Sequence, residues 1–159
     1  MAASGIHTGW GFRQGGGRQG NSDLSAYYSG TEVWRYNASG LLVLLPAAGL
    51  GYGTGAGGTV AQATNKGTTV VLNTVTGIIT MQATALVADV TVAFTLTNSA
   101  IAATDAVLVL HESAGTIGAY SFGSTAASGS AVISVHNNTP GALTDAIVLR
   151  FVVIKSVNA

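Results

Sequence analysis

The chain has 159 residues, enough for one domain with an extension or for two very small domains. Hydrophobic residues make up 48% and charged residues only 8%, with a formal net charge of zero, so a core can form but electrostatic capture of nucleic acid is not expected. There is no cysteine, which excludes a disulfide framework and a thiolate metal site.

Residues 1–30 hold eight of the 22 glycines, and their large residues, among them Trp10, Phe12, Tyr27 and Tyr28, follow no sustained period of 2 or 3.6. Such a segment cannot build a core of its own. It reads as an arm whose isolated rings fill pockets on a neighbour, with a disordered tail as the alternative. Arg13 and Arg18 are the only basic residues of the FRQGGGRQG stretch, too few for an arginine–glycine nucleic-acid site. No apolar segment in residues 1–20 reads as a secretory signal, and the apolar run at 40–50 is too short to span a bilayer, so no membrane is expected as a partner.

Residues 31–36 are β-prone, 37–40 are turn-forming and 41–45 are apolar up to Pro46, which together predict a small hairpin containing Trp34. A lone hairpin is marginal in water, so this one is expected to dock, either on the main core or on another molecule. Within the glycine-rich stretch 51–58, residues 53–58 match G-x-G-x-x-G, but β-branched residues follow where a dinucleotide site needs a helix, and the next acidic residue is Asp89. The stretch reads as a hinge between an attachment segment at 1–50 and a β domain at 59–159.

From Thr59 onward β signals are closely spaced. Strands are expected at 68–73 and 77–82 around a turn at 74–76. Residues 90–97 alternate, with Phe94 and Leu96 on the apolar face. Residues 106–110 form a short apolar run, as for a strand covered on both faces, and strands are expected at 116–122 and 129–136. Residues 147–154 are apolar on both faces except for Arg150, so Leu149, Phe151 and Val153 belong to the most buried strand or to a subunit contact. At most one helical turn, at 100–106, competes with this pattern. The expected fold is all-β, a β-sandwich or jelly-roll-like domain preceded by a glycine-rich extended arm and a small hairpin.

No catalytic constellation is visible, and no cofactor or metal is expected. His111 and Glu112 are strand neighbours, so without a bulge they face opposite sides. His136 follows a strand and reads as an edge residue, although histidines gathered on a symmetry axis would suit a metal. Asp89, Asp105 and Asp145 sit where aspartate caps turns, with an Asp145–Arg150 pair between subunits as the alternative for one of them.

The glycine stretch, TVAQATNKGTTVVLN at 59–73, ITM at 79–81, FTLTNSAIAATD at 94–105 and IVLRFVVIKSVNA at 147–159 resemble a C-terminal β domain that recurs in tailed-bacteriophage structural proteins, over about two thirds of the chain. The resemblance implies a non-enzymatic virion protein, assembled in a bacterial cytoplasm, whose β domain forms a homotrimer. Its expected partners are itself and a major capsid protein or another virion protein. Within that class a capsid decoration or head-fibre protein is favoured. The alternative is a tail-fibre or receptor-binding module that contacts a host-surface glycan. Attachment is expected through Trp10, Phe12, Tyr27, Tyr28 and Trp34, and the core and trimer contacts through Phe94, Leu96, Leu149, Phe151 and Val153.

Overall fold

The structure, a computed structural model, describes residues 10–14, 24–28, 31–36, 42–44 and 49–157. The chain divides into two compact units between Gly51 and Tyr52. Among the described residues every regular element is a strand.

The first unit contains β1 (Trp10–Gln14), β2 (Leu24–Tyr28), β3 (Thr31–Tyr36) and β4 (Leu42–Leu44), hydrogen-bonded in that order as one antiparallel meander. The expected hairpin is therefore the second half of a four-stranded sheet, and two strands lie where an extended arm was expected. The reason is local. Trp10, Phe12 and Gln14 alternate with Gly11 and Arg13 for five residues only, too short a run to stand out in a glycine-rich background. Within β2 a bulge between Ala26 and Tyr27 breaks the alternation again.

The second unit is a sandwich of two four-stranded sheets. Its strands are β5 (Thr59–Ala61), β6 (Val70–Val71), β7 (Thr76–Thr80), β8 (Thr91–Thr97), β9 (Ala106–Ser113), β10 (Tyr120–Ala127), β11 (Ser130–Asn137) and β12 (Val148–Ile154). One sheet has the order β5-β7-β12-β9 and the other β10-β11-β8-β6. Pairing is antiparallel except for β5 with β7 and β6 with β8. Only β10 and β11 are neighbours in both sequence and sheet; elsewhere the chain passes from one sheet to the other at each step.

Alternation places the core. Phe94 and Leu96 of β8, Ile133 and Val135 of β11, Ile79 of β7 and Leu149, Phe151 and Val153 of β12 are all buried between the sheets. Phe151 lies opposite Gly77 in the β7–β12 register. A Cβ on Gly77 would stand 2.8 Å from the Phe151 ring and 2.7 Å from Leu72, so glycine leaves the room that the ring fills.

Several sequence expectations are corrected. The segment between β6 and β7 is a crossover: the Leu72 N–H donates to Thr97 O at 3.1 Å in one sheet, and Val75 O accepts from Val153 N at 2.8 Å in the other. Residues 116–119 form a turn, closed by Ala119 N–H to Thr116 O, and the strand begins at Tyr120. Residues 100–105 form a turn closed by Asp105 N–H to Ala102 O, with no helix. The run at 106–110 is not covered on both faces. Its strand, β9, lies at a sheet edge, where Val107 points inward and Leu108 and Leu110 face solvent.

Part of the glycine stretch is fixed to the sandwich. The Tyr52 hydroxyl donates to Val153 O, and Gly58 O accepts from Ile78 N at 2.9 Å. A Cβ at Gly58 would meet Leu72 at 2.8 Å.

Candidate functional site

The polar side chains of the sandwich are mostly engaged in holding loops. Asn137, fully buried, spreads its amide N–H groups over Leu86 O, Val87 O and Gly141 O at 2.7–3.1 Å, and its Oδ1 accepts from the Thr139 N–H and hydroxyl. Lys66 is buried, and its Nζ donates to Gln82 O at 2.7 Å and Asp145 O at 2.5 Å. Burial pushes its pKa below the usual lysine value, against the opposing pull of Asp145. The Asp145 carboxylate accepts from the Tyr120 hydroxyl at 2.9 Å; burial, with this carboxylate, raises the tyrosine pKa well above its ordinary value. An Asp145–Arg150 pair does not form within the chain. Arg150 instead grips Glu112, Nε to Oε2 at 2.7 Å and Nη2 to Oε1 at 2.5 Å.

His111 and Glu112 do not form a dyad, even though the β9–β12 register shifts beside them. Glu112 turns to Arg150. His111 donates from Nε2 to Ala114 O at 2.5 Å and lies about 6.0 Å, ring to ring, from Tyr120 and Phe122. His136 lies on β11 one residue before its end, with Nδ1 at 2.9 Å from the Thr91 hydroxyl and Nε2 at 3.3 Å from Asp89. Asp105 caps its own turn, accepting from Ala102 N at 2.8 Å, and binds Lys155 Nζ at 2.7 Å. Among the described residues no three His, Cys, Asp or Glu residues stand close enough to hold a metal.

The five residues expected in core or trimer contacts, Phe94, Leu96, Leu149, Phe151 and Val153, all lie within the core of a single copy. What remains for a neighbour is the alternate set. On the outer face of the β5-β7-β12-β9 sheet, the register sets Leu110 beside Arg150, Leu108 beside Val152 and Ala106 beside Ile154, with Ile78 next to Arg150 on the far side. Leu108, Leu110 and Ile154 are each about half exposed. The outer face of the other sheet is of a different kind. Its rows run Thr91–His136–Ser121, Ala93–Ser134–Gly123, Thr95–Val132–Thr125 and Val71–Thr97–Ser130–Ala127, with Val71 and Val132 exposed among the small and hydroxyl residues. Sequence reading missed Leu108 and Leu110 because an unbroken apolar run carries no face information. The usable signal was Glu112, a charged residue in step with both of them.

Of the five expected attachment residues, Trp10 and Phe12 lie on β1, Tyr27 and Tyr28 on β2 and Trp34 on β3. The register brings four of them into adjacent rows: Phe12, Ala26, Trp34 and Leu44 form one row across the meander, and Trp10 pairs with Tyr28 in the next. Tyr27 pairs with Gly11 and Glu32, one step out of phase with those rows. The side chains of Trp10, Phe12 and Tyr28 lie outside the described part of the structure. Compared with protein-family models, with curated proteins and with solved structures, the chain has no match.

Proposed function

We propose that this chain is a non-enzymatic structural protein of a tailed-bacteriophage virion, a homotrimeric decoration or head-fibre protein attached through its N-terminal unit. The observation that carries the assembly part is the aliphatic outer face of the β5-β7-β12-β9 sheet, on a chain with only 8% charged residues. An apolar face with so little surrounding charge favours association over a solitary life in water. The sequence resemblance supplies the virion. The first unit, whose strands carry Trp10, Phe12, Tyr28 and Trp34, is the part assigned to attachment, since aromatic residues contribute large area to a contact at small entropic cost.

The test is electron microscopy of the parent phage with a gold-labelled antibody against the sandwich. Gold over the head supports decoration. Gold at the tail tip assigns the protein to a fibre, and particles free of gold remove it from the virion.

A further inference from the structure

We infer that copies of this chain meet through the outer face of the β5-β7-β12-β9 sheet, with Leu108, Leu110 and Ile154 at the centre of the contact; this rests on the assembly reading above. The charge pattern of the face selects a copy of the chain as the occupant. Its charged residues, Arg150 and Glu112, already hold each other in a two-point pair, so the face is net neutral. At the end of β12, Lys155 is likewise matched by Asp105. A partner bearing a field of one sign, such as a nucleic acid or an acidic surface, gains nothing here, whereas a second neutral face meets it without repulsion. The surrounding residues agree: Thr76, Ile78, Thr80, Val148 and Val152 are half-buried already, so little polar surface is stripped of water when the face is covered. The outer face of the other sheet sets Val71 and Val132 among Ser and Thr hydroxyls, so it offers a smaller gain on burial.

The two faces provide a matched comparison. Leu110 is 56% exposed and Val132, on the opposite sheet, 48% exposed in the single chain. The chain has no cysteine, so Leu110→Cys and Val132→Cys each introduce a single thiol into the full-length protein. The masses of both are followed by light scattering, and labelling by a maleimide is timed at an assembling concentration and after dilution to monomer. At the assembling concentration the thiol at 110 is expected to react about tenfold more slowly than the thiol at 132, because a covered site reacts only through transient opening. Dilution is expected to bring the two rates together.

Equal rates in an assembled sample would overturn this interface while leaving the assembly reading intact. Slow labelling at 110 that ignores dilution would show that the chain's own N-terminal unit covers the face, and would also overturn it. A monomer mass at every concentration would overturn both. In the same assay, Leu110→Lys on the full chain is expected to shift the mass toward monomer with an unchanged circular-dichroism spectrum, and a folded variant that keeps the assembled mass would count against the contact.

Discussion

Asn137 ties together two segments that hold no strand of their own. Its amide spans the 86–87 strand-like segment and the 138–141 turn, beside the isolated Leu86–Leu143 bridge. Leu86 O and Gly141 O keep other donors, but removing the amide takes the donor from Val87 O and the acceptor from the Thr139 N–H, and each such group costs about 1–3 kcal/mol. Asn137→Leu is therefore expected to lower stability by about 3 kcal/mol or more, read from the urea midpoint at fixed protein concentration. A loss within experimental error would mean that solvent replaces the amide. Two carboxylates make a second expectation at this scale. The Ala102 N–H and then Lys155 hold Asp105 below its ordinary value of 3.8, and the Arg150 guanidinium holds Glu112 below 4.5. Both folded-state values lie under the unfolded ones, so in acid the unfolded chain binds more protons. Their contribution is complete above the ordinary carboxylate values and is lost as pH falls through the folded ones. The urea midpoint is expected to fall between pH 6 and about pH 3, and Asp105→Asn is expected to flatten that fall. An equal slope in the variant would exclude Asp105 as a source.

At the level of elements, β12 organises the sandwich. It is paired on both sides, and its inner residues Leu149, Phe151 and Val153 are fully buried. Phe151→Ala is expected to cost about 3–5 kcal/mol, the usual loss for a large buried ring. Gly77→Ala attacks the same contact from the opposite side. The added methyl would press on the Phe151 ring, Leu72 and Gly58 O at 3.0 Å or less, so about 1–3 kcal/mol of overpacking is expected. Because both changes act on one contact, the double variant is expected to lose less than the sum of the two, and strict additivity in a thermal-unfolding cycle would show that ring and glycine are independent. These elements also mark what the sequence made legible. The clean alternation of β8 and the apolar density of β12 located the core residues directly, and the all-β class followed. Faces were harder to assign. A run such as Ala106–Leu110 has no polar residue to break the tie, and being an edge strand is a property of the sheet order, which local sequence does not contain. The meander strands β1 and β2 were missed for a related reason, since five alternating residues among glycines fall below any usable periodicity.

For the whole molecule the balance of forces is set by what the chain lacks in charge and has in apolar and backbone contacts. Ion pairs between exposed groups are what salt screens, and their contribution is typically below about 1 kcal/mol each. Among the described residues the outer face of the β5-β7-β12-β9 sheet offers a single such pair, Arg150–Glu112, which is satisfied within one copy. Contacts made through Leu108, Leu110 and Ile154 depend instead on removing apolar surface from water, which sulfate and phosphate strengthen. The assembled protein is therefore expected to keep its mass as sodium chloride rises to about 1 M, where the Debye length is about 3 Å, and to gain resistance to dilution in sulfate. A chelator is expected to leave the mass unchanged. Analytical ultracentrifugation across the salt series checks all three. Dissociation at moderate salt would place the contact on charged groups, and dissociation by a chelator would place a metal between copies, with His111 and His136 the first residues to replace.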